Sequence, residues 1–414
     1  MFFASALALL LGQTPIDALP DAGASQAPVD VAPDAGAPLP PVAAPAPVED
    51  KTKAEVTTKF GEGVTFKAGE VKLNLRGRVQ VQGISVFPTE GSAAVRSNAI
   101  LVRRARLVLK GEFPWHLSLN LQLAFATLDM EADAPNVLRD FNVQWAPLRD
   151  VSFRLGQMKV PFDVQRVTSS SAQQFVDRST VVGELNLDRD VGLVAYSDDF
   201  LGLGQRLRYA VGVFGGDGRN RIGTNVGLLY GGRLRFSPLG AFDDKVEGDP
   251  DRDPRFRIAF GGGAARNIAT NRPRSTTGTP YKAATFNYTH ATGDVNVKWH
   301  GLSLLSEIYW RQADQDSVTS LVNGASLTEY SRSGWGWFVQ AGGYVTPWLE
   351  LAARYGDTQP LGATDPNFRR VREVGGTVNL MFWKHDLKLQ TDVFWLDEAG
   401  HGRVQLRIQA QVYF

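Results

Sequence analysis

The chain has 414 residues, 43% of them apolar, with a formal net charge of +1 and a mean hydropathy of −0.17. It contains no cysteine, which excludes a disulfide framework and any thiolate metal site. No run of about 18 apolar residues occurs, so no helix is available to cross a bilayer, and passage through a membrane would have to use strands.

The charge is unevenly spread. Six acids and no Lys or Arg lie in residues 1–50, so the remainder of the chain is basic although the total is almost neutral. Phe2 to Leu11 is a short apolar run followed by Gly-Gln-Thr-Pro, and residues 1–14 are predicted to be an export signal peptide, although they lack a basic leader. Residues 15–50 are rich in Ala, Pro and Asp and poor in bulky apolar side chains. They cannot bury enough surface to offset their ordering entropy and are predicted to be a disordered periplasmic spacer. Residues 51–70 form a lead-in segment.

From Val71 the apolar pattern has period two, the strand period. Val71, Leu73, Leu75, Val79 and Val81 fall on one face; Lys72, Asn74, Arg76, Arg78 and Gln80 fall on the other. Strands are predicted over 71–86, 99–112, 115–126, 138–147, 150–159, 190–198, 205–215, 223–237, 255–266, 281–299, 301–313, 334–346, 348–358, 370–383, 386–397 and 403–414. Most are long enough for the roughly 9–11 residues that a tilted strand needs to cross a membrane. Their even number suits a closed antiparallel barrel spanning 71–414. Short connections such as Phe113-Pro114, His300-Gly301 and Thr346-Pro347 alternate with long ones, as in an outer-membrane barrel; 238–254 is long on the side that should be short. Trp115, Phe125, Trp145, Trp299, Trp310, Trp335, Trp337, Trp348, Trp383 and Trp395 collect at strand ends, where interfacial girdles would place them. The expected fold is thus all-β, a sixteen-stranded transmembrane barrel.

If the apolar faces meet lipid, the polar faces line a lumen. There Arg76, Arg78, Arg104, Arg106, Arg154, Arg206 and Arg208 belong to a basic set that outnumbers the acids Asp140, Asp294, Glu307, Glu350, Glu373 and Asp392. The ratio is about three to one, which favours anions. The longest outer connection, 160–189, carries Phe162, Val164, Val167, Phe175 and Val176. It is too apolar for free disorder, and folding inward would bring Arg166, Arg178 and Arg189 to a constriction. Arginine suits phosphate and carboxylate because its planar fork donates in pairs.

Gly77-Arg78-Val79-Gln80, Arg103-Arg104-Ala105-Arg106, the run Gly156-Gln157-Met158-Lys159-Val160-Pro161-Phe162, Thr168-Ser169-Ser170, Phe175 to Ser179, Arg189-Asp190-Val191-Gly192, and the run Gly212 to Gly218 together resemble the phosphate-selective porin O and P family. The resemblance covers the first half of the barrel in order; beyond about residue 255 it is one of pattern only. It implies a trimeric sixteen-stranded porin with an inward third loop and an arginine ladder on Arg76, Arg78, Arg104, Arg106 and Arg154. The family's phosphate specificity also uses lysines at the constriction. Here loop 160–189 contains none and Lys159 only flanks it, so a general preference for small anions is the expectation.

The function expected is passive diffusion of small anions, without cofactor or catalysis. The alternatives are a plugged structural or adhesive barrel and an outer-membrane barrel hydrolase. For the hydrolase, His116 and Asn120 share a face, but no nucleophile accompanies them. Asp249, Asp251 and Asp253, beside Asp243, Asp244 and Glu247, have oxygen-rich spacing; a solvated acidic loop is favoured over a calcium site because the glycine and distal glutamate of an EF-hand are missing. Bases and aromatics lie on opposite strand faces, which excludes a nucleic-acid groove. The partners expected are outer-membrane lipid, small permeant anions and two further copies of the chain. The outer-membrane assembly machinery joins them, since the last strand alternates up to a terminal Phe414.

Overall fold

The computed structural model describes residues 54–89, 96–131, 134–221 and 227–414. The signal peptide expected over 1–14 and the spacer expected over 15–50 lie outside the described residues. A hairpin of β1 (Glu55–Lys59) and β2 (Gly63–Ala68) comes first. The wall begins with β3 (Val71–Pro88), β4 (Ser97–Phe113), β5 (Leu117–Ala124), β6 (Leu138–Trp145), β7 (Ser152–Lys159), β8 (Arg189–Ser197), β9 (Leu207–Phe214) and β10 (Leu229–Phe236). It continues with β11 (Arg257–Thr270), β12 (Phe286–Trp299) and β13 (Leu302–Ala313). A second hairpin, β14 (Ser317–Val322) with β15 (Ala325–Tyr330), stands in the following long loop. The wall resumes with β16 (Gly334–Thr346), β17 (Leu349–Pro360), β18 (Val371–His385), β19 (Leu387–Glu398) and β20 (His401–Tyr413).

Leaving aside the two hairpins, sixteen strands pair antiparallel in sequence order, with β13 joined to β16 across β14 and β15. The sheet closes where β20 meets β3, with Arg403 opposite Pro88 and Tyr413 opposite Arg78. Closure removes the open edges that a bilayer could not satisfy. All sixteen predicted wall strands are present, with ends shifted by a few residues.

The wall is inside-out relative to a soluble protein. On β20 and β3 the glutamines Gln80, Gln82, Gln409 and Gln411 are buried in the interior, while Val81 and Ile408 are exposed on the outside. Trp115, Trp145, Trp299, Trp348 and Trp383 are exposed near strand ends, consistent with interfacial belts.

The interior departs from simple alternation. Val194, Phe214, Leu229, Tyr309 and Phe338 also point inward and are buried. They form one core with Phe162, Val181, Val182, Leu185 and Leu187 of the connection between β7 and β8. An apolar residue can face the lumen here because the chain itself, rather than water, lies against it. Gly263 on β11 permits the approach, since a Cβ there would stand 2.3 Å from the Phe162 carbonyl oxygen.

Candidate functional site in the lumen

The connection between β7 and β8 crosses the barrel interior. Its backbone donors are met by acids of the opposite wall. The Val164 and Gln165 N–H groups donate to Glu307 at 2.8 and 2.9 Å, Val176 N–H to Asp392 at 3.1 Å, and Thr180 N–H to Glu373 at 3.2 Å. Its short helix α1 (Thr180–Leu185) is capped by Ser179, whose hydroxyl accepts from Val181 N–H at 3.2 Å. The exposed parts of a loop would be solvated; these are buried, so each must find a protein partner. The lumen acids Glu307, Glu373 and Asp392 that the sequence counted against the arginines are therefore occupied in holding the loop.

A second segment enters from the opposite end. The connection between β10 and β11, long where a short turn was expected, folds into the barrel and touches the inward loop. Glu247 N–H donates to Ala172 O at 2.8 Å, and the Glu247 carboxylate accepts from Gln174 N–H at 2.9 Å and from Gln340 at 3.0 Å. Its acids serve protein groups: Asp244 pairs with Arg208 and Arg235, Asp249 accepts from Gly301 N–H at 2.7 Å, and Asp251 pairs with Lys384 at 2.7 Å. Among the described residues no cluster of His, Asp and Glu is arranged to hold a metal ion.

The two segments fill the side of the lumen under β10–β13 and β16–β19 and leave space beside β4–β9. A cavity of about 530 Å³ opens toward the long loops, lined by Arg103, Arg104, Arg139, Arg166 and Arg178 with Asp129, Asp177 and Asp188. A second, of about 570 Å³, leads toward the short turns past Arg106, Lys110, Asn120, Arg154, Lys159 and Arg189. Their linings meet beside the inward loop at Arg104 and Arg106, Arg139 and Asp140, and Asp188 and Arg189, which form the narrow level.

Most of its arginines are paired. Arg104 meets Asp177 at 3.0 Å and Gln80 at 2.8 Å. Arg106 holds Asp129 with two bonds, one at 2.6 Å, and Arg139 meets the same carboxylate at 2.8 Å. Arg166 pairs with Asp188, and Arg189 bridges Asp140 at 2.9 Å and Asp188 at 3.3 Å. Burial alone would raise the Asp129 and Asp177 carboxyls. The arginines outweigh it, Arg106 and Arg139 at Asp129 and Arg104 and Arg103 at Asp177, and hold both well below the usual carboxylate range.

Four further cations have no carboxylate partner among the described residues. Arg178 donates to the carbonyls of Gln165 and Thr168 at 2.8 and 2.7 Å, and Lys159 to those of Val167 and Thr168 at 2.7 and 3.0 Å. Arg78 donates to Ser170 at 3.0 Å, and Arg154 donates to Gln144 at 3.1 Å and lies over the Tyr196 ring at 4.8 Å. Of the remaining arginines predicted for the lumen, Arg208 is paired with Asp244. Arg76 meets Asp386 at 3.1 Å beside the β1–β2 turn, and Arg206 is exposed in the connection before β9, so both stand at the rim.

Arg103 and Arg139 were not among the predicted site residues. Each is the extra residue of a register shift, Arg103 between the pairs Gln80–Arg104 and Val81–Val102, Arg139 between Gln122–Asp140 and Leu123–Leu138. A bulge re-aims the side chain that alternation would send outward, and here it adds two arginines to the same level. The doublet Arg103-Arg104 was the only trace of this in the sequence.

The family model for phosphate-selective porin O and P matches residues 71–347. No curated protein matches the chain. Among solved structures, an anion-selective porin from Comamonas acidovorans superposes with a TM-score of 0.55 at 15% identity, covering 83% of this chain and 100% of that one. The outer membrane channel DcaP of Acinetobacter baumannii gives 0.55 at 11% identity, covering 84% and 99%. The trimer form of OmpT from Vibrio cholerae gives 0.50 at 14% identity, covering 83% and 99%.

Proposed function

The chain belongs to the phosphate-selective porin O and P family, and on that premise we propose that it conducts small anions, phosphate among them, passively across the outer membrane. One observation carries the selectivity. Around the narrow level eight cations (Arg103, Arg104, Arg106, Arg139, Lys159, Arg166, Arg178 and Arg189) stand against four carboxylates (Asp129, Asp140, Asp177 and Asp188). The uncompensated charge sits in a water-filled gap between low-dielectric walls, which concentrates anions without chemistry. Arg78 and Arg154 extend the positive lining toward the short-turn end, with Arg206 and the Asp386-paired Arg76 at the rim, while Asp244 neutralises Arg208.

A channel rather than an enzyme is proposed because the matched family is one of porins. A homotrimer is proposed from the likeness to trimeric OmpT, and insertion by the assembly machinery through β20 from the alternation of that strand. The packed interior favours one second reading, a barrel plugged by its own segments.

Planar-bilayer recording under a KCl gradient tests both. Discrete steps with a reversal potential favouring chloride are expected, and phosphate should reduce the chloride current. A closed barrel would give no steps, and a preference for potassium would overturn the charge argument.

A further inference from the structure

A third cavity, of about 350 Å³, lies at the short-turn end between the inner faces of β7–β10 and the inserted β10–β11 segment. One wall is the rim of the internal core: Val164 and Val194, with Tyr196 and Ala210 packed against it. The other presents Arg154. This guanidinium rests on the Tyr196 ring at 4.8 Å, gives one bond to Gln144 at 3.1 Å, and pairs with none of the carboxylates that share the cavity, Asp163, Asp198 and Asp244; its buried Nε has no protein partner among the described residues.

The other buried and half-buried charges around the cavity are committed, and the exposed Asp198 and Lys245 stand opposite in sign on its lining. Arg208 and Arg235 hold Asp244, and Arg235 also meets Asp294 at 2.6 Å, where Arg233 joins it. Asp163 accepts from Tyr309 at 3.0 Å and from Arg166 N–H at 2.9 Å. Arg154 is thus the half-buried cation left to a ligand, and it also lines the larger cavity that leads to the narrow level. A ligand bound here would stand in the conduction path.

We propose that this cavity binds organic anions made of one carboxylate on a flat apolar body, the carboxylate on Arg154 and the body against Val164, Val194 and Tyr196. The inference rests on the anion-porin reading and names a substrate class for it. A guanidinium already stacked on a ring is preorganised to offer its fork to a carboxylate. The apolar rim adds affinity that chloride, phosphate or acetate cannot use.

The test compares benzoate with acetate as blockers of the chloride current in wild-type channels of known orientation. Ring burial at the rim should place the half-blocking concentration of benzoate about tenfold below that of acetate. The difference should be larger for addition from the short-turn side. Val194→Ser should shrink the advantage while sparing acetate, and Arg154→Gln should weaken both. Calorimetric titration of the detergent-solubilised barrel with the two anions reads the same ratio without current. Equal potency of benzoate and acetate in either assay would overturn the proposal. The reversal potential in the same membranes separates the two levels: potassium preference sinks the anion porin, whereas chloride preference with equal potencies sinks this site alone.

Discussion

Asp129 is shared by Arg106 and Arg139, and its role differs from that of an acid standing alone in a pore. It cancels one charge of the constriction and stays ionised because its arginines hold its carboxyl down. Asp129→Asn should therefore raise the chloride-to-potassium permeability ratio. A unit charge about 7 Å from a permeating ion in water changes its energy by about 0.6 kcal/mol, in opposite senses for chloride and potassium, so the factor expected in the ratio is about seven. Arg178→Gln, which removes a cation that no carboxylate offsets, should lower the ratio by a similar factor. The pair Arg106→Gln with Asp129→Asn leaves the net charge unchanged and should fall close to wild type. Reversal potentials in a KCl gradient check all three, and a double variant as shifted as either single one would show that geometry, not charge, sets selectivity. This is also where the sequence was least legible. Arg104 and Arg106 were placed inward by alternation. Asp129, Asp177, Asp188 and Asp244, which neutralise so much of the arginine charge, lie in connections, where no period says which way a side chain points. The bulges at Arg103 and Arg139 break the period itself.

At the scale of elements, α1 is held to the wall by Glu184. Its carboxylate meets Arg311 at 2.7 Å and Arg332 and Arg274 at 2.9 Å. Burial alone would raise the Glu184 carboxyl; Arg311, Arg332 and Arg274 more than offset it and bring it from 4.5 to about 2. A depressed value means that docking is favoured above the ordinary carboxylate range and loses that support as pH falls from about 4.5 toward 2, on the order of 3 kcal/mol in all. Single-channel conductance should be steady from pH 7 to about 5 and become noisier below 4.5, and Glu184→Gln should show the noisy state already at pH 7. A flat record to pH 3 would mean that the apolar contacts of α1 suffice. The inserted β10–β11 segment gives a second prediction. Replacing residues 239–253 by a short turn removes Asp244 and Glu247 together. Conductance should rise, and anion preference should rise with it because Arg208 and Arg235 lose a carboxylate. Unchanged conductance would put the segment outside the ion path. Its length in the sequence marked it as irregular, but nothing local told that it turns inward, because its partners Ala172 and Gln174 are more than seventy residues away. The hairpin of β14 and β15, by contrast, carries a local signal. Asn323-Gly324 between alternating runs is a strong turn signal.

For the whole molecule the decisive step is closure of the sheet, since an open edge has no water to bind within a bilayer. The closing seam ends on a reciprocal pair: Gly77 N–H donates to Phe414 O at 2.7 Å and Phe414 N–H donates to Gly77 O at 3.0 Å. The Phe414 ring lies over Gly77 so closely that a Cβ there would stand 2.3 Å from it. Period-two alternation made the barrel and its strand count legible, because every strand obeys the same lipid. It could not reveal this seam, which depends on residues more than three hundred positions apart. Gly77→Val should push the ring away, spoil the last bonds of the seam and lower the fraction that refolds in detergent, read as the heat-modifiable band on a gel. Gly83→Val is the control on the same strand, since nothing stands within 4 Å of a Cβ at Gly83. It should refold like the parent. Adding Phe414→Ala to Gly77→Val removes the ring that the valine meets and should restore much of the yield. If the double variant stays as unfolded as Gly77→Val alone, the glycine is needed for its backbone and not for the space it leaves to the ring.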